Sequence, residues 1–65
     1  MKVQLNGIEH DVPDRSTVAD LVRLTSAPTT GIAVAVNGEV VHRAAWGTVV
    51  SAGAAVEILT AVQGG

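Results

Sequence analysis

Two Asn-Gly dipeptides constrain the fold of this chain more than any other feature. Asn6-Gly7 and Asn37-Gly38 each separate two short runs in which apolar, mostly β-branched residues recur at strand spacing. Asparagine and glycine both adopt the positive φ angles of a type I′ turn, so this dipeptide between two strand-like runs is a strong hairpin signal. We therefore predict one hairpin over residues 2–12 and a second over residues 32–42.

A short helix is predicted between the hairpins. Pro13 ends the first hairpin because proline cannot donate a hydrogen bond to a strand ladder. Thr17 is placed to cap a helix, and Asp20 follows three residues later in a variant of the capping box. An apolar stripe at helical spacing follows this cap, and the helix is expected to stop after about two turns at Ala27-Pro28. The stripe consists of Val18, Leu21, Val22 and Thr25.

The remainder of the chain supplies one more strand. Residues 43–53 show no clear period and are interpreted as a loop with room for one helical turn, and residues 55–62 are predicted to form the last strand. Placing this strand between the two hairpins leaves the least exposed sheet edge. The predicted fold is α+β, a β-grasp with a mixed sheet of about five strands packed on one short helix. We expect residues 1–62 to form the domain and residues 63–65 to form a flexible Gly-Gly tail.

Composition excludes several classes of function. The chain has 65 residues and no cysteine, which removes disulfides, thiolate metal sites and a cysteine nucleophile. A net charge of −2 and a single aromatic residue argue against nucleic-acid binding. The longest unbroken aliphatic run is residues 32–36, far shorter than the ~20 residues of a membrane span. No apolar signal sequence opens the chain, so we expect a cytoplasmic protein without membrane association.

No catalytic or metal-binding group of side chains is apparent within the domain. Glu9 and Asp11 share one face of a predicted strand, where a solvated charged surface is the simplest interpretation. His10 and His42 have no carboxylate or second histidine at ligand spacing, so surface or half-buried positions are expected. We therefore expect no bound metal or cofactor and no enzymatic activity in this chain.

The terminal Gly64-Gly65 is the exception. A glycine carboxylate has no Cβ beside it, and a glycine backbone reaches conformations closed to other residues. Such a tail can enter a narrow channel in a partner enzyme, which could convert the carboxylate into an acyl-adenylate open to attack by sulfur or nitrogen. The alternatives are a frayed end or a cloning artefact.

Four segments together resemble the ThiS family, the sulfur carriers of thiamine biosynthesis. They are VQLNG in the first hairpin, STVADLV at the helix, AVAVNGEVV in the second hairpin and VEILTAVQGG at the end of the chain. The ending is the most specific of the four because it combines the last strand with a Gly-Gly tail. The likeness extends over the whole chain.

The resemblance implies a specific chemistry and a set of partners. An E1-like adenylating enzyme of the ThiF type would activate the carboxylate of Gly65 with ATP and Mg²⁺. Sulfur derived from cysteine and delivered through a cysteine desulfurase would convert it to a thiocarboxylate. A thiazole synthase of the ThiG type would then take that sulfur for the thiazole ring of thiamine. Gly64 and Gly65 match the family tail residue by residue.

A docking surface for these partners is predicted from strand alternation. If Val56 and Ile58 point to the helix, the residues between them point to the other side of the sheet. A neighbouring strand at residues 32–36 would add small apolar side chains to that side, next to the tail. The predicted partner-binding residues are Leu59, Ala61, Ala33, Ala35 and Gln63. An ordinary sheet face made mostly of alanines is the alternative.

Three other functions remain open. The small subunit of molybdopterin synthase uses the same tail chemistry with another acceptor, although it is usually longer. A ubiquitin-like protein modifier would end in an isopeptide bond between Gly65 and a target lysine. A binding module with an incidental Gly-Gly tail would carry out neither reaction.

Overall fold

The computed structural model describes residues 1–25 and 31–60. The helix α1 comprises Val18–Leu24, and a 3₁₀ turn comprises Arg43–Ala45. The strands are β1 (Lys2–Leu5), β2 (Ile8–Asp11), β3 (Ile32–Val36), β4 (Glu39–Val41) and β5 (Ala55–Thr60). The predicted sequence of hairpin, helix, hairpin and strand is therefore confirmed, and the 3₁₀ turn lies in the segment where a helical turn was expected.

The five strands form one mixed sheet in the order β2-β1-β5-β3-β4. Strand β5 lies at its centre, parallel to β1 and antiparallel to β3. The predicted central position of the last strand, and with it the β-grasp fold, is confirmed. Only the short strands β2 and β4 are left at the edges, which limits the backbone groups open to unwanted pairing.

Both hairpins close through the predicted Asn-Gly turns. Asn6 and Gly7 have φ angles of 51° and 82°, and Asn37 and Gly38 have φ angles of 51° and 83°. Positive φ at both central positions defines the type I′ turn, whose twist matches that of the flanking strands. Each two-residue turn fixes the register of its hairpin.

The helix begins with the capping box expected from the sequence. The Asp20 backbone N–H donates to the Thr17 hydroxyl oxygen at 3.2 Å, and the Thr17 backbone N–H donates to the Asp20 carboxylate at 2.9 Å. These two bonds satisfy donors that a helix start otherwise leaves free. Three of the four stripe residues, Val18, Leu21 and Val22, are buried, while Thr25 is half-buried at the C-cap.

The core lies between α1 and one face of the sheet. Its buried residues are Val3, Leu5, Val12, Val18, Leu21, Val22, Val34, Val50, Ala54, Val56 and Ile58. Val50 and Ala54 come from the segment between β4 and β5, whose residues show no periodic pattern that would predict their burial. Trp46 is half-buried against this core, and its indole N–H donates to the Val41 carbonyl at 3.1 Å.

Some sequence expectations fall outside the described residues. These are the helix stop at Ala27-Pro28, the last two residues of the predicted strand 55–62, and the boundary between domain and tail at residue 63. Neither helical segment within residues 1–25 and 31–60 has the length and apolar character required to cross a membrane.

Truncating the largest fully buried side chain of the helix is predicted to unfold much of the protein. Leu21 is 1% exposed, so Leu21→Ala should cost about 2–5 kcal/mol in lost packing. A core in a domain this small rarely supplies more than about 3–5 kcal/mol. Leu24→Ala is the matched control because Leu24 is 52% exposed on the same helix, and it should cost about 0.5 kcal/mol or less. Urea unfolding followed by Trp46 fluorescence measures both, and equal losses would contradict this core.

The capping box should make stability depend on pH in a defined direction. The hydrogen bond from the Thr17 backbone N–H, followed by the bond with the Thr17 side chain, holds the pKa of Asp20 below its ordinary value of 3.8. A carboxyl with a lowered folded pKa contributes stability above its unfolded pKa and loses it as the pH falls through the folded value. At pH 7 the urea midpoint of the wild type should therefore be higher than that of Asp20→Asn. This difference in midpoint should disappear below the pKa that Asp20 has in the folded chain. A gap independent of pH would contradict this assignment.

Candidate functional site

Strand β5 carries the chain to the candidate site. It pairs with β3 over five of its six residues, from Val36↔Val56 to Ile32↔Thr60. Its register with β1 covers only Gln4↔Ala55 and Leu5↔Val56, because the first hairpin turns away at Asn6. The last residues of β5 thus extend beyond β1 and have a neighbouring strand on one side only.

The asparagines of the two turns extend the pairing of β5. The Asn6 side-chain oxygen accepts the Ile58 N–H at 2.8 Å, and the Asn37 side-chain oxygen accepts the Ala55 N–H at 3.0 Å. Each asparagine also donates its backbone N–H to a β5 carbonyl, Asn6 to Val56 and Asn37 to Ala55. Both turns therefore hold β5 as well as closing their hairpins, a role that the dipeptide signal did not predict.

Alternation along β5 divides its side chains between the two faces of the sheet. Val56 and Ile58 are buried against the core, whereas Glu57 and Leu59 are exposed on the outer face. Leu59 is 63% exposed and lies directly opposite Ala33 on β3. Ala35, two residues along β3 from Ala33, adds its half-buried methyl group to the same face.

Val40 adds a fourth apolar side chain that the sequence reasoning missed. It is 66% exposed and is paired with Ala35, which puts it on the outer face. The signal was present in the sequence, because a two-residue turn at Asn37-Gly38 must pair residue 35 with residue 40. We call Ala33, Ala35, Val40 and Leu59 the outer-face patch.

The other half of the outer face is polar. Lys2 and Gln4 on β1 are both exposed there, and the Lys2 ammonium lies 3.9 Å from the carboxylate of Glu9 on β2. Glu57 stands between this polar half and the outer-face patch. The outer face thus changes from charged to apolar across the sheet, and the apolar half lies beside the end of β5.

In the part of the chain that the structure describes, the acidic and histidine side chains form no cluster of the kind found in catalytic or metal sites. Glu9 and Asp11 are exposed, as expected, while His10 is half-buried and His42 is exposed. No set of three or more histidine and acidic side chains suited to a metal ion occurs among residues 1–25 and 31–60. The Arg43 guanidinium lies 5.0 Å from the centre of the Trp46 ring, a cation–π contact on the surface.

The predicted site residues are described only in part. Ala33, Ala35 and Leu59 come together on the outer face, while Ala61, Gln63, Gly64 and Gly65 lie outside the described residues. The last described residue of β5, Thr60, lies one position before Ala61. The outer-face patch therefore lies beside the last described residues of β5, and residues 61–65 follow these directly in the sequence.

Losses of stability that differ in size are predicted for one substitution at two consecutive positions of β5. Ile58 is 7% exposed, so Ile58→Asp buries a charge and should cost at least about 3 kcal/mol. Leu59→Asp, on the exposed face, should cost about 1 kcal/mol or less. Urea midpoints and far-ultraviolet circular dichroism check this contrast. Similar losses at both positions would contradict the assigned faces.

Comparisons with known proteins agree with this architecture. The model of the ThiS family matches residues 3–65. The crystal structure of the thiamine biosynthesis protein ThiS from Geobacter metallireducens is similar to the chain with a TM-score of 0.83 and 32% sequence identity, over 100% of both chains. No curated protein matches the sequence. The family model covers nearly the whole chain and ends at Gly65, and on that match the chain belongs to the ThiS family.

Proposed function

We propose that this chain is the sulfur carrier of thiamine biosynthesis and that its cargo is held as a thiocarboxylate at Gly65. The observation that carries the proposal is the match to the ThiS family, which continues through the Gly-Gly tail to residue 65. The position of β5 supports it, since the central strand of the sheet leads directly into that tail.

The carrier chemistry has two steps on the carboxylate. The Gly65 carboxylate attacks the α-phosphate of ATP, and pyrophosphate leaves to give an acyl-adenylate. Hydrosulfide then attacks the acyl carbon, AMP leaves, and a thiocarboxylate remains; a persulfide donor would form an acyl disulfide, which a thiol reductant cleaves to the same thiocarboxylate. Gly65 favours both steps because no Cβ hinders the attack of the carboxylate oxygen on the phosphate or the later approach of sulfur to the acyl carbon. The chain acts as the substrate of these reactions rather than as their catalyst.

The partners supply the remaining components. An E1-like adenylating enzyme of the ThiF type binds ATP and Mg²⁺, and a cysteine desulfurase provides the sulfur. A thiazole synthase of the ThiG type takes the sulfur from the carrier. A domain of 65 residues with its reactive group at the end of a tail suits successive delivery into two active sites.

The outer-face patch is the proposed docking surface for the adenylating enzyme. Leu59 and Val40 are 63% and 66% exposed, and a contiguous exposed apolar area of this kind favours a protein partner. Ala61 and Gln63 extend this surface toward the tail in the proposal. Docking through the patch brings the Gly65 carboxylate to the active site on a linker of only a few residues.

The test is the intact mass of the chain after incubation with a matching adenylating enzyme, Mg-ATP and sulfide. The proposal predicts that one oxygen is replaced by sulfur at the C-terminus. Oxidation of Met1 gives the same nominal mass change, so the change must map to a C-terminal fragment. A chain lacking Gly65 is the matched control and should gain no sulfur.

The other functions predict different products in the same experiment. A protein modifier would appear as conjugates of higher mass, and a binding module would be unchanged. A carrier for molybdopterin synthesis would gain the thiocarboxylate but would not support thiazole formation when thiazole synthase and its substrates are added. Any of these three results would contradict the proposed function.

Substitution in the outer-face patch should weaken docking without unfolding the domain. Leu59→Asp places a charge in an apolar contact, so the Kd for the adenylating enzyme should rise about tenfold or more. Leu24→Asp is the control, because Leu24 is 52% exposed on the helix side of the sheet and should leave the Kd within about twofold. Titration calorimetry measures both values. An unchanged Kd for Leu59→Asp would overturn the docking assignment.

A further inference from the structure

The bond between Asn6 and Ile58 replaces a bond of the regular sheet. In a parallel ladder, a residue donates its N–H to the carbonyl of one residue on the neighbouring strand. Its own carbonyl accepts the N–H of the residue two positions further along that strand. Asn6 donates to the Val56 carbonyl at 2.9 Å, so its carbonyl would be the regular acceptor for Ile58. The chain turns at Asn6, where φ is 51°, and the side-chain oxygen accepts the Ile58 N–H instead at 2.8 Å.

The same replacement occurs at the second hairpin, on the other side of β5. Continued by one residue beyond Val36↔Val56, the antiparallel register of β3 and β5 puts Asn37 opposite Ala55. In a regular ladder, two residues at such a position exchange both of their backbone bonds. Asn37 donates its N–H to the Ala55 carbonyl at 2.8 Å. The return bond, from the Ala55 N–H, goes to the Asn37 side-chain oxygen at 3.0 Å.

The two asparagines differ in which end of β5 they hold. Asn37 bonds Ala55, the first residue of the strand, whereas Asn6 bonds Ile58, in the half that leads into the tail. On the β1 side, the strand register has already ended at Val56. The Asn6 side chain therefore adds a bond on that side of β5 beyond the last register pair, two residues before Thr60.

We propose that Asn6 is a positioning residue for the carrier reaction. Its side-chain amide fixes the end of β5 on the β1 side and so sets the direction in which the tail leaves the sheet. Gly65 lies seven residues beyond Ile58, so a change in direction at Ile58 displaces the carboxylate from the geometry in which it attacks the α-phosphate of ATP. This inference rests on the proposed function, because it assigns Asn6 a role in presenting that carboxylate.

The experiment compares Asn6→Gly with Asn37→Gly. Glycine keeps the positive φ of each turn and removes only the side-chain acceptor, so both variants should fold and lose similar stability. Adenylation is followed by exchange of pyrophosphate with ATP at varied carrier concentration. Asn6→Gly should lower kcat about 2- to 10-fold with little change in KM, because the outer-face patch still docks. Asn37→Gly should leave both constants within about twofold.

A conservative variant separates positioning from a general loss of stability. Asn6→Asp keeps an acceptor oxygen at the same place and should restore most of the kcat that Asn6→Gly loses. Amide hydrogen exchange at Ile58 should be faster in Asn6→Gly and near wild type in Asn6→Asp. Equal kcat in Asn6→Gly and Asn37→Gly, or no recovery in Asn6→Asp, would overturn the assignment. Failure of the wild-type chain to be adenylated would instead overturn the proposed function, and the role of Asn6 with it.

Discussion

The hydrogen bonding of β5 on both of its sides is the constraint on which the rest of the structure depends. This strand lies between β1, which is parallel to it, and β3, which is antiparallel. Each hairpin is hydrogen-bonded to β5 through one strand and through the side chain of its turn asparagine. Its inward residues Val56 and Ile58 lie in the core beneath α1. Without β5 the two hairpins share no strand, and a two-stranded hairpin is at best marginally stable in water.

The architecture followed from the sequence wherever the chemistry is local. Local sequence patterns are enough to predict features that depend on only a few neighbouring residues. The Asn-Gly turns, the Thr17–Asp20 cap and the strand alternation are of this kind. The central place of β5 followed from the need to leave few exposed edges. Burial of Val50 and Ala54 could not be predicted, because it depends on long-range backbone bonds such as Val50 N–H to the Ser16 carbonyl at 2.8 Å. The side-chain hydrogen bonds of Asn6 and Asn37 could not be predicted either, since they join residues far apart in sequence.

The candidate site was predictable to a smaller extent. Alternation placed Leu59, Ala33 and Ala35 on one face, and the structure brings these three residues together. Val40 was not among the predicted partner-binding residues, although the register of its hairpin places it beside Ala35. The sheet thus uses its two faces differently: one is covered by α1 and supplies the core, and the other leaves the outer-face patch open beside the end of β5. This division leaves an exposed apolar surface on a small domain without removing residues from its core.

Native-state hydrogen exchange tests the central role of β5 most directly. The Val56 and Ile58 amides face the β1 side of the strand, and the Glu57 amide faces β3, so together they report on both hairpins. If β5 holds the two hairpins together, all three amides should exchange only through global unfolding, with a free energy equal to that from urea denaturation. Exchange of these amides through local opening, at a free energy well below that of the α1 amides, would contradict it.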